Sequence, residues 1–86
     1  MKHAGQSALD GIEPLLAQIR AAGGLKEKTR GVFYFKSKAF LHFHEDPAGM
    51  FADIRTGDGK DFDRLKVDDP AGAKALLARV QTAVRS

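Results

Sequence analysis

The sequence predicts an α+β two-layer sandwich in the order helix, three- or four-stranded antiparallel meander, helix. Three observations predict it. An apolar stripe at helical spacing runs from Leu9 to Ala22, and a second runs from Ala73 to Val84. Between them lie aromatic-rich, alternating runs around Lys36-Ser37-Lys38 that hold five of the six Phe, the only Tyr and two of the three His. Two helical stripes and one apolar sheet face bury one another only if the helices lie on that face.

In the first helix, Leu9, Ile12, Leu15, Leu16, Ile19 and Ala22 recur every three to four residues. Ser7 and Asp10 mark its start, and Gly23-Gly24 its end. Pro14 lacks an N–H, so it fits only within the first turn. The regular helix therefore begins near Gly11 to Glu13, and residues 1–8 read as a flexible lead-in. Leu25 to Arg30 reads as a charged connector.

The strands follow. A two-residue Ser37-Lys38 turn sets Phe35 opposite Phe40, Tyr34 opposite Leu41, and Phe33 opposite His42. Asp46-Pro47-Ala48-Gly49 has turn chemistry throughout. Closing it as a loop pairs Glu45 with Met50, Phe43 with Ala52, His42 with Asp53, and Leu41 with Ile54. Alternation then sorts the side chains. Val32, Tyr34, Leu41, Phe43, Met50, Ala52 and Ile54 form one apolar face. Phe33, Phe35, Phe40, His42, His44, Phe51, Asp53 and Arg55 form a second face that mixes rings with titratable groups. Asp61 to Val67 offers a fourth strand, with poor alternation. Asp69-Pro70 opens the last helix as N-cap and first residue. Ala73, Leu76, Leu77, Val80 and Val84 form its buried stripe.

Composition bounds the possibilities. Eighty-six residues, 43% hydrophobic and 29% charged, fit a single globular domain over 1–86. There is no cysteine, which removes disulfides and thiolate metal sites. The N-terminal residues hold no signal-like apolar segment, and no run reaches membrane-spanning length, so a cytoplasmic location is expected. The glycines follow no phosphate-loop pattern, and Ser7, Ser37 and Ser86 have no partner base in view. The Asp58, Asp61 and Asp63 group does not match an EF-hand. The expectation is therefore binding, not catalysis, with no cofactor.

Two surfaces are candidates for that binding. Residues 1–44 hold seven Lys/Arg against three acids, and residues 45–86 hold seven against eight. The basic excess lies in Lys26, Lys28, Arg30, Lys36 and Lys38. Those residues either contact phosphates of a polyanion or form a solvated loop and hairpin tip whose lysines guard strand edges. The second surface is the mixed face of Phe33, Phe35, Phe40, His42, His44, Phe51 and Arg55. Its leading reading is protein interaction, including a homodimer. The alternatives are single-stranded nucleic acid or DNA, with bases on rings, or simple cover by another element. On it, His42-x-His44 points one way with Asp53 opposite His42, a set that suits zinc, iron or manganese. An ordinary cross-strand contact is the competing account.

The leading helix, basic connector, aromatic strand and Lys38-Ala39-Phe40-Leu41 segment together resemble the small bacterial MmcQ/YjbR proteins, over about Gly31 to Ile54. The resemblance implies a compact α+β fold likened to frataxin-type proteins, and a suggested role in DNA binding. The usual Gly before the Lys is Ser37 here, and no functional residue carries across.

Overall fold

In the computed structural model, which describes residues 2–85, the elements run β1 (Lys2–His3), α1 (Gln6–Asp10), α2 (Glu13–Ala22), β2 (Lys26–Thr29), β3 (Val32–Phe35), β4 (Lys38–Asp46), β5 (Gly49–Arg55), β6 (Phe62–Lys66) and α3 (Pro70–Arg85). All strand pairs are antiparallel, in the order β2-β3-β4-β5-β6. The short β1 pairs with β4 on the flank that β3 occupies further along. The fold is α+β, with the helices on one side of an open antiparallel sheet.

The sheet is wider than the sequence pattern suggested. Phe62–Lys66 does form a strand, and Lys26–Thr29 is an edge strand instead of a connector. Its Lys-Glu-Lys-Thr sequence is almost wholly exposed, so no apolar alternation marks it. The lead-in is also structured: His3 belongs to β1, Ala4 N–H donates to Phe43 O at 3.1 Å, and α1 begins at Gln6.

Local chemistry explains the helix ends. Ile12 takes a non-helical conformation between α1 and α2, and Pro14 lies in the first turn of α2. Gly23 ends α2 with φ 75°, a left-handed value that glycine adopts at little cost. Asp69 Oδ1 accepts the Gly72 N–H at 2.6 Å, capping α3 just before Pro70.

One core joins the layers. Leu9, Ile12, Leu16 and Ile19 from the first two helices, with Leu76 and Val80 from α3, pack on Phe33, Leu41, Phe43, Ala52 and Ile54 of the sheet. Each of these side chains larger than Ala52 contributes about 1.5–3 kcal/mol when removed from water.

Phe33 and Phe40 are therefore a correction. The expected outward face is wrong for β3, because the turn falls one residue earlier. Lys36 and Ser37 form it, with φ of 52° and 71°, so Phe35 pairs with Lys38 and Tyr34 with Ala39. A bulge then accommodates Phe40, and the ladder resumes with Phe33 opposite Leu41 and Val32 opposite His42. A one-residue slip exchanges faces. Phe33 (1% exposed) and Phe40 (5%) enter the core, while Tyr34 and Val32 turn to the other side. The β4–β5 register holds as expected, from Leu41 with Ile54 through Glu45 with Met50.

Candidate functional site

The sheet face turned away from the helices brings together all three histidines of the chain. His42 and His44 alternate on β4. Asp53 on β5 lies opposite His42, Arg64 on β6 opposite Asp53, and His3 on β1 opposite His44. The strand ladder thus lays titratable groups in two adjacent rows across four strands, His3–His44 and His42–Asp53–Arg64. One ring nitrogen from each of His3, His42 and His44 lies within 4.8 Å of the other two. The His3 ring sits 5.0 Å from that of His44 and 5.7 Å from that of His42.

The contacts at the centre are short. His42 Nδ1 is 2.9 Å from His44 Nε2, which is itself 3.0 Å from Asp53 Oδ2. Arg64 donates Nε–H to Asp53 Oδ1 at 2.7 Å and Nη2–H to Oδ2 at 2.8 Å, a bidentate clamp that fixes the carboxylate plane. That clamp is the main reason the Asp53 carboxyl titrates below its ordinary range, although the residue is only 7% exposed. His42 is also shifted down, first by burial and then by the neighbouring His44. Its ring packs against Phe62 at 5.3 Å. A neutral imidazole keeps a lone pair for a ligand, and a buried carboxylate fixes the ring beside it.

Proton counting gives this cluster its chemical meaning. His44 Nε2 faces two atoms that can accept a hydrogen bond, His42 Nδ1 and Asp53 Oδ2. Which ring of the His42–His44 contact donates depends on the tautomer, and Asp53 Oδ2 already accepts Arg64 Nη2–H. With the rings neutral, each histidine also keeps one lone pair, and His3, His42 and His44 together offer three nitrogen donors to a single ion. Nitrogen donors on a tetrahedral zinc, bound at about 2.0–2.1 Å, lie roughly 3.3 Å apart. His42 and His44 are already near that spacing, and the exposed His3, on a two-residue strand, is the ligand with room to close.

The other expected site residues divide between both sides of the sheet. Phe51 is on the histidine face, opposite His44. Arg55 donates to Ala39 O at 2.6 Å and Gly59 O at 2.8 Å, and lies over Phe62. Phe33 is in the core, and Phe35 packs against Phe40 on the helix side at 5.6 Å between centroids. Of the expected phosphate contacts, Lys26 and Lys28 lie on β2, with Lys28 Nζ 4.5 Å above the Tyr34 ring. Lys36 lies in the hairpin turn and Lys38 directly follows it. Arg30 is a correction: it binds Gln6, Asp10 and Glu13, pinning α1 and α2 to the turn after β2, and is not a free cation.

Sequence reasoning missed His3, Tyr34, Phe62 and Arg64 at this face. Phe62, Arg64 and Lys66 do alternate, but Asp63 between them obscures the pattern. His3 carries no local signal, because only a two-residue strand places it. No protein-family model, curated protein or solved structure matches this chain.

Proposed function

We propose that this protein is a small non-enzymatic binding module whose open sheet face takes a divalent transition-metal ion on His3, His42 and His44, with Asp53 beside His44. One observation carries the reading: every histidine in the chain converges within 4.8 Å, next to a carboxylate clamped by Arg64. Imidazole donors suit zinc, nickel, copper and iron, and the lack of cysteine leaves histidine as the softest strong donor available. Three protein donors leave a coordination position for water or for a partner's side chain. Among the described residues the helices cover only the opposite face and no element encloses a substrate here, which favours binding over catalysis. Cytoplasmic residence is part of this proposal. Among the described residues, no helix is long and apolar enough to cross a membrane.

Cobalt(II) titration of metal-stripped protein tests the reading, since visible absorption reports both stoichiometry and geometry. A 1:1 tetrahedral-type spectrum is expected, displaced by zinc and weakened about tenfold or more in His42→Ala and His3→Ala. Unchanged spectra up to millimolar cobalt would sink it.

Single-stranded nucleic acid is the second reading, favoured by the place of Tyr34. The ring shares the open face with Phe51 and Phe62, with Lys28 over it and Lys26 beside it, while Arg64 and Lys66 farther across the sheet are paired with Asp53 and Asp68. Bases stacking on rings while cations follow phosphates is a recurrent arrangement, and the resemblance to MmcQ/YjbR proteins adds weight to it. A labelled oligothymidine should then bind at low salt and be released steeply as salt rises. Association with a protein or a second copy through aromatics alone has weaker support, because Phe33 and Phe40 belong to the core.

A further inference from the structure

On the helix side, where β3, β4 and β5 end against α3, lies a groove of about 810 Å³. We propose that it binds a fatty carboxylate, with the acyl chain along α3 and the anion at the Lys36/Lys38 hairpin tip. Three features support this, none of which uses the histidine cluster.

The first is size, since sites for small organic ligands span about 300–1,000 Å³. The second is the lining. Phe35, Phe40, Ile54 and Leu65 form the sheet wall, and the alanines of α3, including Ala78 and Ala83, form the other. Leu76 and Val80 point into the core, so apart from Arg79 the helix flank beside the groove carries only short side chains. The third is charge. Lys36, Lys38, Arg55 and Arg79 border the groove, and no Asp or Glu lines it. Arg79 has Asp63 as a partner at 3.1 Å. Lys36 and Lys38 have no carboxylate partner among the described residues; Lys36 lies 5.2 Å from the Phe35 ring centroid. An apolar trough that ends in unpaired cations is complementary to a chain that ends in a carboxylate. A neutral hydrocarbon would leave the cations unused, and a polyanion would leave the apolar wall wet.

Amide cross-peaks followed during a decanoate titration, below its micellar range and with a chelator present, test the proposal. Phe40, Ile54, Ala78 and Thr82 should shift, while His42 and His44 stay in place. Decanol should bind at least about tenfold more weakly, and the double variant Lys36→Glu, Lys38→Glu should lose a similar factor. Ala78→Trp, at an exposed helix position that tolerates bulk, should abolish the shifts by filling the groove. The proposal is overturned by any of four results: no shift with decanoate, equal binding of decanol, shifts that survive Ala78→Trp, or groove resonances that change with protein concentration alone. The last would mean that a second copy sits there. The chelator separates this result from the metal reading, so each can fail alone.

Discussion

An exposed histidine ordinarily titrates near 6.5, but His42 is shaded by Phe62 and crowded by positive neighbours. Burial is the largest cause of its lowered value, followed by His44, with His3 and Arg64 acting in the same sense and only Asp53 opposing. The sign of the stability effect follows directly. Above 6.5 neither the folded nor the unfolded chain protonates this ring, and it contributes no pH dependence. As pH falls below 6.5, the unfolded chain takes the proton first and unfolding becomes easier, until the folded ring protonates as well. Asp53 acts lower on the scale. Its stabilising pair with Arg64 is complete above the ordinary carboxylate value of 3.8 and is lost as acid protonates it below that value. The metal-free protein should therefore lose urea resistance between pH 7 and 5.5, and His42→Gln should flatten that slope. A slope unchanged by the substitution would assign the acid loss elsewhere. Asp53→Asn should cost about 1.5 kcal/mol at pH 7, the low end for a charged hydrogen bond, because Arg64 is half exposed and can turn to water.

At the scale of elements, the pairs that could be read from sequence were those whose turns carry strong chemistry. Asp46-Pro47-Ala48-Gly49 fixes the β4–β5 register, and with it the Asp53 position opposite His42. Lys36-Ser37 gives no such cue. Both residues adopt left-handed φ without being glycine or asparagine, and the adjacent bulge at Phe40 has no sequence signature. The β2 edge was hidden for another reason, its near-complete exposure. Helix α3 carries a test of how tightly the elements meet. Gly72 lies in its first turn, and the Lys66 carbonyl oxygen occupies the place a Cβ would take. In an open helix, Gly→Ala stabilises by about 1 kcal/mol. Here the β6–α3 junction forbids the methyl, because the obstacle is backbone, not the end of a flexible side chain. Gly72→Ala should destabilise by about 2 kcal/mol or more, in the range of overpacked sites, as read from the urea midpoint. A stabilised variant would show that the junction is looser than drawn here.

The whole molecule is a sheet with two working sides, and the assignment of β3 to those sides decides what each can do. With Phe33 inward, the helix side gains an aromatic floor that continues through Phe40 and Phe35 into the groove. With Tyr34 outward, the histidine face gains a ring beside Lys28 and stays polar enough to remain uncovered. Neighbouring residues on one strand thus supply a direct measure of the arrangement. Phe33→Ala removes a side chain that is 1% exposed from the middle of the core and should cost about 3–5 kcal/mol. Tyr34→Ala removes a partly exposed ring outside the core, with Lys28 above it, and should cost less, about 1–2 kcal/mol. The register expected from a Ser37-Lys38 turn reverses the order, because it puts Tyr34 against Leu41 and Phe33 in water. Urea unfolding of the two variants under identical conditions separates these arrangements. The larger loss for Tyr34→Ala would return β3 to the expected register, remove Phe40 from the groove wall, and withdraw the fatty-carboxylate site. The histidine cluster would stand, because it rests on the β4–β5 and β1–β4 pairings alone.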